Sequence, residues 1–202
     1  MKPFTEYLEE QDGAGLTIFD IDETLFRTTA KIHVVKDGKF VRELDNADFN
    51  HYKLKPGESY DFGQFRNAQK FHDESVPIER MFNKAKAILR NATRTGSKVI
   101  IITARADFDD RETFLKTFRN HGFDIDKVRV ERAGNIEGDF VPAYKKAIII
   151  RNALNTGQYK RVRLFDDSMM NLKVFLELQE EFPQIKFEAF LAKHDGSVKA
   201  VK

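Results

Sequence analysis

Residues 18–26 read Ile-Phe-Asp-Ile-Asp-Glu-Thr-Leu-Phe, so two acids follow directly on a short apolar run. A strand buried on both faces excludes unpaired charges, because burying a charge is costly. Asp20 and Asp22 are therefore expected at the carboxyl end of a strand, on an open edge where a divalent cation can neutralise them. Like charges this close also separate each other's pKa values, so one carboxylate can act as a nucleophile while the other transfers protons. A solvated turn after a strand is the alternative that this pattern alone leaves open.

Short apolar runs rich in β-branched residues alternate with helical patterns along most of the chain. The second predicted helix is expected to begin at a capping box formed by Asp109 and Glu112. Nearly continuous apolar runs are typical of strands buried on both faces of a parallel sheet. The alternation predicts an α/β fold, a three-layer Rossmann-like sandwich with a central parallel sheet, in which ligands bind at the carboxyl ends of the strands. The predicted strands are residues 16–21, 98–103, 127–131, 162–166 and 186–192, and the predicted helices are residues 79–95, 109–122, 142–157 and 168–182.

Residues 27–77 interrupt this alternation. Two apolar segments flank the sequence Lys-Asp-Gly-Lys at 36–39, and an Asp-Gly pair between apolar runs predicts a β-hairpin. We expect residues 27–77 to form a small cap insert over the strand ends, with residues 1–26 and 78–202 forming the α/β core. An elaboration that packs aside is the alternative. His51 and His72 in this segment could contact substrate or be ordinary surface histidines.

The composition bounds the class of protein. The chain has 202 residues, of which 41% are hydrophobic and 33% charged, which suggests one folded domain with a small insert. The absence of cysteine excludes disulfides, thiolate catalysis and zinc–thiolate sites. A net charge of +2 with mixed signs throughout argues against a dedicated nucleic-acid-binding surface, and no apolar run is long enough to cross a membrane. Residues 1–11 hold three glutamates and no apolar stretch, so we expect no secretory signal. The absence of cysteine is compatible with the cytoplasmic location that we expect, and we expect no obligate protein partner.

Two later segments place polar side chains where a strand ends and where a helix begins. Thr103 ends the second predicted strand, where its hydroxyl and adjacent backbone N–H groups are available to a phosphate oxygen. Arg105 follows, and its guanidinium could bind a phosphate through two hydrogen bonds. An exposed surface arginine is the alternative. Lys145 and Lys146 lie near the start of the third predicted helix, where a positive charge could stabilise a phosphate.

A second pair of acids, Asp166 and Asp167, ends the fourth predicted strand. In chain order these segments resemble the four motifs of the haloacid dehalogenase (HAD) superfamily, most of whose members are Mg2+-dependent phosphohydrolases. The resemblance spans residues 16–175, and Asn171 stands where a second acid of the fourth motif often follows, which leaves its role open. The residues that carry the resemblance are Asp20, Asp22, Thr24, Thr103, Lys146 with Lys145 as the alternative, Asp166 and Asp167.

The resemblance implies a phosphoryl transfer in two steps. Asp20 would attack phosphorus and form an aspartyl-phosphate, and Asp22 would protonate the leaving oxygen and then activate water. Lys146 and Mg2+ would stabilise charge on the phosphate. Thr103 would bind the phosphate, and Thr24 would support the loop around it. The implied ligands of Mg2+ are the carboxylates of Asp20, Asp22, Asp166 and Asp167.

The expected substrate is a phosphomonoester, either a phosphorylated small molecule or the end of a nucleic acid. The whole chain, including residues 44–77, is similar to the small HAD-type phosphatases encoded by tailed bacteriophages, which implies a substrate from nucleotide or nucleic-acid metabolism. The pattern Thr-x-Arg at Thr103 and Arg105 resembles that of the polynucleotide 3'-phosphatases of the superfamily, which makes such an enzyme the specific alternative. A non-catalytic binding protein on the same scaffold is a further alternative, against which the complete set of motif residues argues.

Overall fold

The computed structural model describes residues 14–49, 51–138 and 140–202. The predictions for residues 1–11, and the part of the core assigned to residues 1–13, lie outside these ranges. The elements in chain order are β1 (Ala14–Phe19), β2 (Phe26–Arg27), β3 (Ile32–Lys36), β4 (Lys39–Leu44), α1 (Asn46–Phe49), β5 (Glu58–Asp61), α2 (Gly63–Arg66), α3 (Ala68–Glu74), β6 (Val76–Pro77), α4 (Glu79–Thr95), β7 (Lys98–Thr103), α5 (Arg111–Asn120), β8 (Arg129–Arg132), α6 (Pro142–Leu154), β9 (Tyr159–Asp166), α7 (Met169–Glu177), β10 (Lys186–Ala192) and β11 (Val198–Val201), with short 3₁₀ helices at Ile125–Lys127, Ala133–Asn135 and Leu178–Glu180.

Six strands form the central sheet, in the order β11-β10-β9-β1-β7-β8. Neighbouring strands are parallel except β10 and β11, which are antiparallel. The five predicted strands are therefore present as parallel neighbours, and β11 adds an edge strand that the sequence pattern does not predict. Two of its four residues are partly buried and the other two are exposed, so its apolar pattern is too weak to distinguish it from a loop.

Helices cover both faces of the sheet, which explains why the strands are apolar without alternation. On β1, Phe19 packs in the core that contains α4 and α5, whereas Leu16 and Ile18 pack in the core that contains α6 and α7. On β7, Ile101 and Ile102 divide between the two cores in the same way. The predicted three-layer α/β architecture is confirmed. None of the helices within the described ranges is both long and apolar enough to cross a membrane.

Local signals predict most helix boundaries. The bounds of α4 are those predicted, and Gly96 follows it with a φ of +71°, a left-handed conformation that costs glycine little. Helix α6 begins at the predicted Pro142 but ends at Leu154, three residues before Gly157. Ser168 caps α7 by accepting a hydrogen bond from the N–H of Asn171.

The predicted capping box of α5 is wrong by one residue. Asp110 is the N-cap, and its side chain accepts hydrogen bonds from the N–H groups of Glu112 and Thr113. Asp109 instead accepts a hydrogen bond from the N–H of Ala68, at 2.8 Å. Aspartate is a favourable N-cap residue at either position, and here the carboxylate of Asp109 binds α3 while that of Asp110 caps α5.

The insert contains the predicted hairpin. Strands β3 and β4 pair through a turn at Asp37 and Gly38, whose φ angles are +52° and +74°. Strand β5 pairs with the other edge of β3, which gives a three-stranded sheet, and β2 pairs with β6 at the two ends of the insert. On the last helix of the insert, Phe71 packs into the main core against Phe26 and Phe114. The role of this insert as a cap stays a prediction.

Candidate active site

The carboxyl ends of β1 and β9 meet at one edge of the sheet. The two strands are parallel neighbours, and Phe19 is the register partner of Phe165. Their rings stack with centroids 4.9 Å apart, and the N–H of Asp20 donates to the carbonyl of Phe165 at 3.0 Å. Asp20 and Asp166 each follow one member of this stacked pair, so both leave the sheet at the same edge.

Three carboxylates form a cluster at this edge. One oxygen from each of Asp20, Asp166 and Asp167 lies within 4.8 Å of the others. Asp20 is 5% exposed and Asp166 is fully buried, whereas Asp167 is exposed. Within the described residues this is the one group of three or more His, Cys, Asp or Glu side chains close enough to hold a metal ion. Asp22, the fourth predicted ligand, is not part of the group.

Lys146 joins two members of this carboxylate cluster. Its Nζ donates to Oδ1 of Asp20 at 2.7 Å and to Oδ2 of Asp166 at 2.8 Å, and the side chain is 3% exposed. Burial alone would lower the pKa of Lys146, but the two carboxylates raise it above its ordinary value. Lys145, the alternative from the sequence, is half-buried at the preceding position of α6. The geometry therefore brings Lys146 to the site.

Asn171 contacts the cluster as a hydrogen-bond donor. Its Nδ2 donates to Oδ1 of Asp166 at 2.8 Å, and the N–H of Ser168 donates to the same oxygen at 2.9 Å. Because Lys146 binds the other oxygen, both oxygens of Asp166 have protein partners. This arrangement gives Asn171 a role that the sequence left open: it orients Asp166.

Asp22 is paired with Arg105, a contact that the sequence pattern does not predict. Nε of Arg105 donates to Oδ2 of Asp22 at 2.9 Å, and Nη2 donates to Oδ1 at 2.6 Å. The hydroxyl of Thr28 donates to Oδ1 at 2.8 Å. Burial alone would raise the pKa of Asp22, but the charge and hydrogen bonds of Arg105 lower it. The expected metal ligand and the expected phosphate ligand thus bind each other.

The two motif threonines are fully buried. Oγ1 of Thr103 accepts a hydrogen bond from the N–H of Arg105 at 3.2 Å, which fixes the loop after β7. Oγ1 of Thr24 has no hydrogen-bond partner among the described residues, and its N–H donates to the carbonyl of Ile21 at 3.3 Å. Thr24 therefore lies in the loop that carries Asp22, and Thr103 ends the strand that precedes Arg105.

Burial and crowding of negative charge raise two carboxyl pKa values. Desolvation raises the pKa of Asp20 well above its ordinary value, and the charges of Asp166 and Asp167 add to this effect while Lys146 opposes it. The pKa of Asp167 is raised to about 7 by desolvation and by the charge of Asp166, although its side chain keeps contact with solvent. The protein thus holds more negative charge here than its own cations stabilise.

The cluster fits a hard divalent cation. Three carboxylates face one ammonium group, that of Lys146, so the formal charge is −3 plus +1, or −2. Asp22 and Arg105 neutralise each other and do not change this value. Oxygen donors with an uncompensated charge of two match the preference of Mg2+. The residues that could hold it are Asp20, Asp166 and Asp167.

The chain matches no family model and no curated protein. Among solved structures it is similar to the HAD domain of the effector protein Lem4 from Legionella pneumophila. The two are 12% identical, with a TM-score of 0.47 over 89% of this chain and 88% of that chain. A likeness at this level carries no information about activity.

The structure adds functional candidates that the sequence patterns do not identify. Thr28 and Ser168 bind the carboxylates of Asp22 and Asp166, and neither stands in a pattern that points to this role. Of the two histidines considered above, His51 is exposed, and Nδ1 of His72 lies 3.0 Å from the hydroxyl of Thr117 on α5. His72 therefore contacts the core helix that packs on the insert.

Proposed function

We propose that this protein is a HAD-type, Mg2+-dependent phosphomonoester hydrolase that acts through an aspartyl-phosphate on Asp20. The observation that supports the proposal is the buried contact of Asp20 with Lys146 beside Asp166 and Asp167, at the carboxyl edge of a parallel sheet. A carboxylate held this way is oriented before a substrate arrives, which is what an attacking group requires.

Asp20 is the proposed nucleophile. Its Oδ1 accepts the hydrogen bond from Lys146, and none of the hydrogen bonds within the described ranges uses Oδ2. In the first step a bond forms between Oδ2 and phosphorus while the bond from phosphorus to the leaving oxygen breaks. The ammonium of Lys146 offsets negative charge on the carboxylate and on the incoming phosphoryl group. Asp20, Asp166 and Asp167 would hold a divalent cation, and it would supply further positive charge near the phosphoryl oxygens.

Asp22 is the proposed proton-transfer group. In the first step a proton carried in by the substrate's phosphate monoanion passes through the carboxylate of Asp22 to the leaving oxygen, so the product is a neutral alcohol. In the second step the carboxylate of Asp22 accepts a proton from the water that attacks phosphorus, which releases phosphate and restores Asp20. The carboxylate of Asp22, two positions after Asp20 in the chain, is held in place by its two hydrogen bonds from Arg105.

The proposed substrate is a phosphomonoester of nucleotide or nucleic-acid metabolism, on the strength of the resemblance alone. The polynucleotide 3'-phosphatase alternative was motivated by Arg105 as a phosphate ligand. Since Arg105 is 4% exposed and binds Asp22, it gives that alternative no support. A nucleoside monophosphate is therefore the first substrate to test, before a 3'-phosphorylated oligonucleotide.

The test is hydrolysis of p-nitrophenyl phosphate by the purified protein, with Mg2+ and with EDTA. We expect Mg2+-dependent release of phosphate, its loss in Asp20→Asn, and an unchanged far-UV circular dichroism spectrum in that variant. Beryllofluoride with Mg2+ should give a bound ¹⁹F signal in the wild type and none in Asp20→Asn. Turnover by the folded Asp20→Asn variant would reject the nucleophile, and Mg2+ binding without turnover of any ester would favour the non-catalytic alternative.

A further inference from the structure

All three guanidinium nitrogens of Arg105 donate hydrogen bonds to other groups of the protein. Nε and Nη2 bind both oxygens of Asp22, and Nη1 donates to the carbonyl of Phe65 at 2.9 Å. The side chain is 1% exposed. A substrate phosphate could reach this guanidinium only after the pair with Asp22 had been broken. We infer that Arg105 is a positioning residue that holds the carboxylate of Asp22, and that it does not bind the substrate phosphate.

Aromatic rings surround the guanidinium. Its central carbon lies 4.8 Å from the ring centroid of Phe65, 5.0 Å from that of Phe71 and 5.4 Å from that of Phe108. Rings stabilise a planar cation through their faces, and arginine suits such a site better than lysine because its charge is delocalised and its fork is rigid. The three rings therefore hold the guanidinium plane in the orientation in which Nε and Nη2 donate to Asp22.

The backbone of Arg105 is fixed from two sides. Its N–H donates to Oγ1 of Thr103 at 3.2 Å, and its carbonyl accepts from the N–H of Gly134 at 3.2 Å. A Cβ at Gly134 would lie 2.6 Å from the carbonyl carbon of Arg105 and 2.5 Å from the nitrogen of Ala106. Only glycine allows this close approach. The contact fixes the backbone of Arg105 and therefore the position from which its side chain extends.

Both the insert and the α/β core contribute side chains that hold Arg105 and Asp22. Phe65 and Phe71 belong to α2 and α3, whereas Phe108 follows β7 in the core. Thr28, the other donor to Asp22, lies just after β2. The orientation of Asp22 thus depends on side chains from both parts of the chain. The inference rests on the proposed function, because positioning Asp22 matters for catalysis only if Asp22 transfers the proton.

A residue that positions the proton donor has a distinctive kinetic effect. An alkoxide is a poor leaving group and needs a proton as the bond to phosphorus breaks, whereas p-nitrophenolate leaves readily without one. Loss of Arg105 should therefore reduce hydrolysis of an alkyl phosphate much more than hydrolysis of p-nitrophenyl phosphate. Loss of a phosphate ligand would instead reduce both, because both substrates present the same phosphoryl group.

The experiment compares kcat/KM for these two esters in wild type, Arg105→Met, Arg105→Lys and the control Arg66→Met. Arg66 is exposed on the neighbouring insert helix, so it receives the same chemical change outside the site. For Arg105→Met we expect a loss of about 100-fold on the alkyl phosphate and less than about 5-fold on p-nitrophenyl phosphate. Inhibition by inorganic phosphate should change little, and Arg66→Met should match the wild type.

Arg105→Lys keeps the inference testable if Arg105→Met does not fold. Lysine retains the buried charge but cannot bind both oxygens of Asp22 in a fixed plane. A positioning role predicts that Arg105→Lys also loses alkyl phosphate turnover selectively. A phosphate-binding role predicts that lysine, which binds phosphate well as a point charge, retains most of the activity on both esters.

A double variant tests whether Arg105 acts through Asp22. In the Asp22→Asn background, Arg105→Met should cause little further loss, because the group that it positions has already been removed. Equal losses on both esters, weaker inhibition by phosphate, or a full additional loss in the Asp22→Asn background would each overturn the inference. Failure of the wild type to hydrolyse either ester would instead overturn the proposed function, and the inference with it.

Discussion

Nζ of Lys146 lies 2.7 Å from Oδ1 of Asp20, although 126 positions separate the two residues in the chain. The same ammonium lies 2.8 Å from Oδ2 of Asp166, which ends the strand beside β1. All three groups are almost completely removed from water, so each depends on the others for compensation of its charge.

Replacement of Lys146 should therefore be costly in two ways. Lys146→Met leaves two buried carboxylates without their shared cation and should destabilise the protein by about 3–5 kcal/mol in the absence of Mg2+. It should also lower kcat on p-nitrophenyl phosphate by about 100-fold or more. Urea denaturation and steady-state kinetics measure the two effects. Lys145→Met is the matched control, and a comparable loss in that variant would contradict the assignment.

The raised pKa values of Asp20 and Asp167 predict that stability depends on pH and on Mg2+. A carboxyl group with a raised pKa keeps its proton in the folded state at a pH where the unfolded chain has lost it. The resulting stabilisation is complete below pH 4 and disappears as the pH rises through about 7 for Asp167. In EDTA, the Tm of the wild type minus the Tm of Asp167→Asn should therefore decrease as the pH is raised from about 5 to about 8. Added Mg2+ should abolish this dependence of the Tm difference on pH. A Tm difference that increases with pH in EDTA would refute the prediction.

Replacing Asn171 with an acidic residue should destabilise the folded protein. Because its Nδ2 donates to Asp166, Asn171→Asp replaces a donor with a carboxylate next to a buried carboxylate. We expect this variant to lose about 1–3 kcal/mol of stability in EDTA, more than Asn171→Ala, which only removes the donor. Added Mg2+ should restore more stability to Asn171→Asp than to Asn171→Ala in thermal denaturation. The same stability in both variants would mean that Asn171 does not orient Asp166.

Gly134 should tolerate no side chain. In Gly134→Ala the new Cβ would lie 2.5 Å from a backbone nitrogen, so the loop that carries Arg105 must shift, at a cost of about 1–3 kcal/mol. Gly15→Ala is the control, since the nearest atom to a Cβ there is a side-chain oxygen at 3.5 Å. Chemical denaturation of both variants measures the difference. Equal stability would show that the approach of the two loops is not tight.

Local patterns predicted the elements whose conformation depends on their own residues. Gly96 ends α4, and Asp37 with Gly38 turns the hairpin, because these positions need backbone angles that few residues adopt easily. Short, nearly continuous apolar runs likewise identified β1 and β7 as strands covered on both faces. The capping-box pattern predicted Asp109 as the N-cap of α5 and was wrong by one residue, because Asp109 binds the N–H of Ala68 and Asp110 caps the helix.

The sequence by itself determined the α/β architecture and the placing of acids at the ends of strands, because both follow from burial and from the geometry of parallel strands. Only the tertiary structure decided which side chains meet. It brought Lys146 to Asp20, and it paired Asp22 with Arg105 across 83 positions, a contact that the sequence pattern did not predict. The physical reason is that a buried charge takes the best oppositely charged partner within reach, and that reach is defined only once the chain has folded.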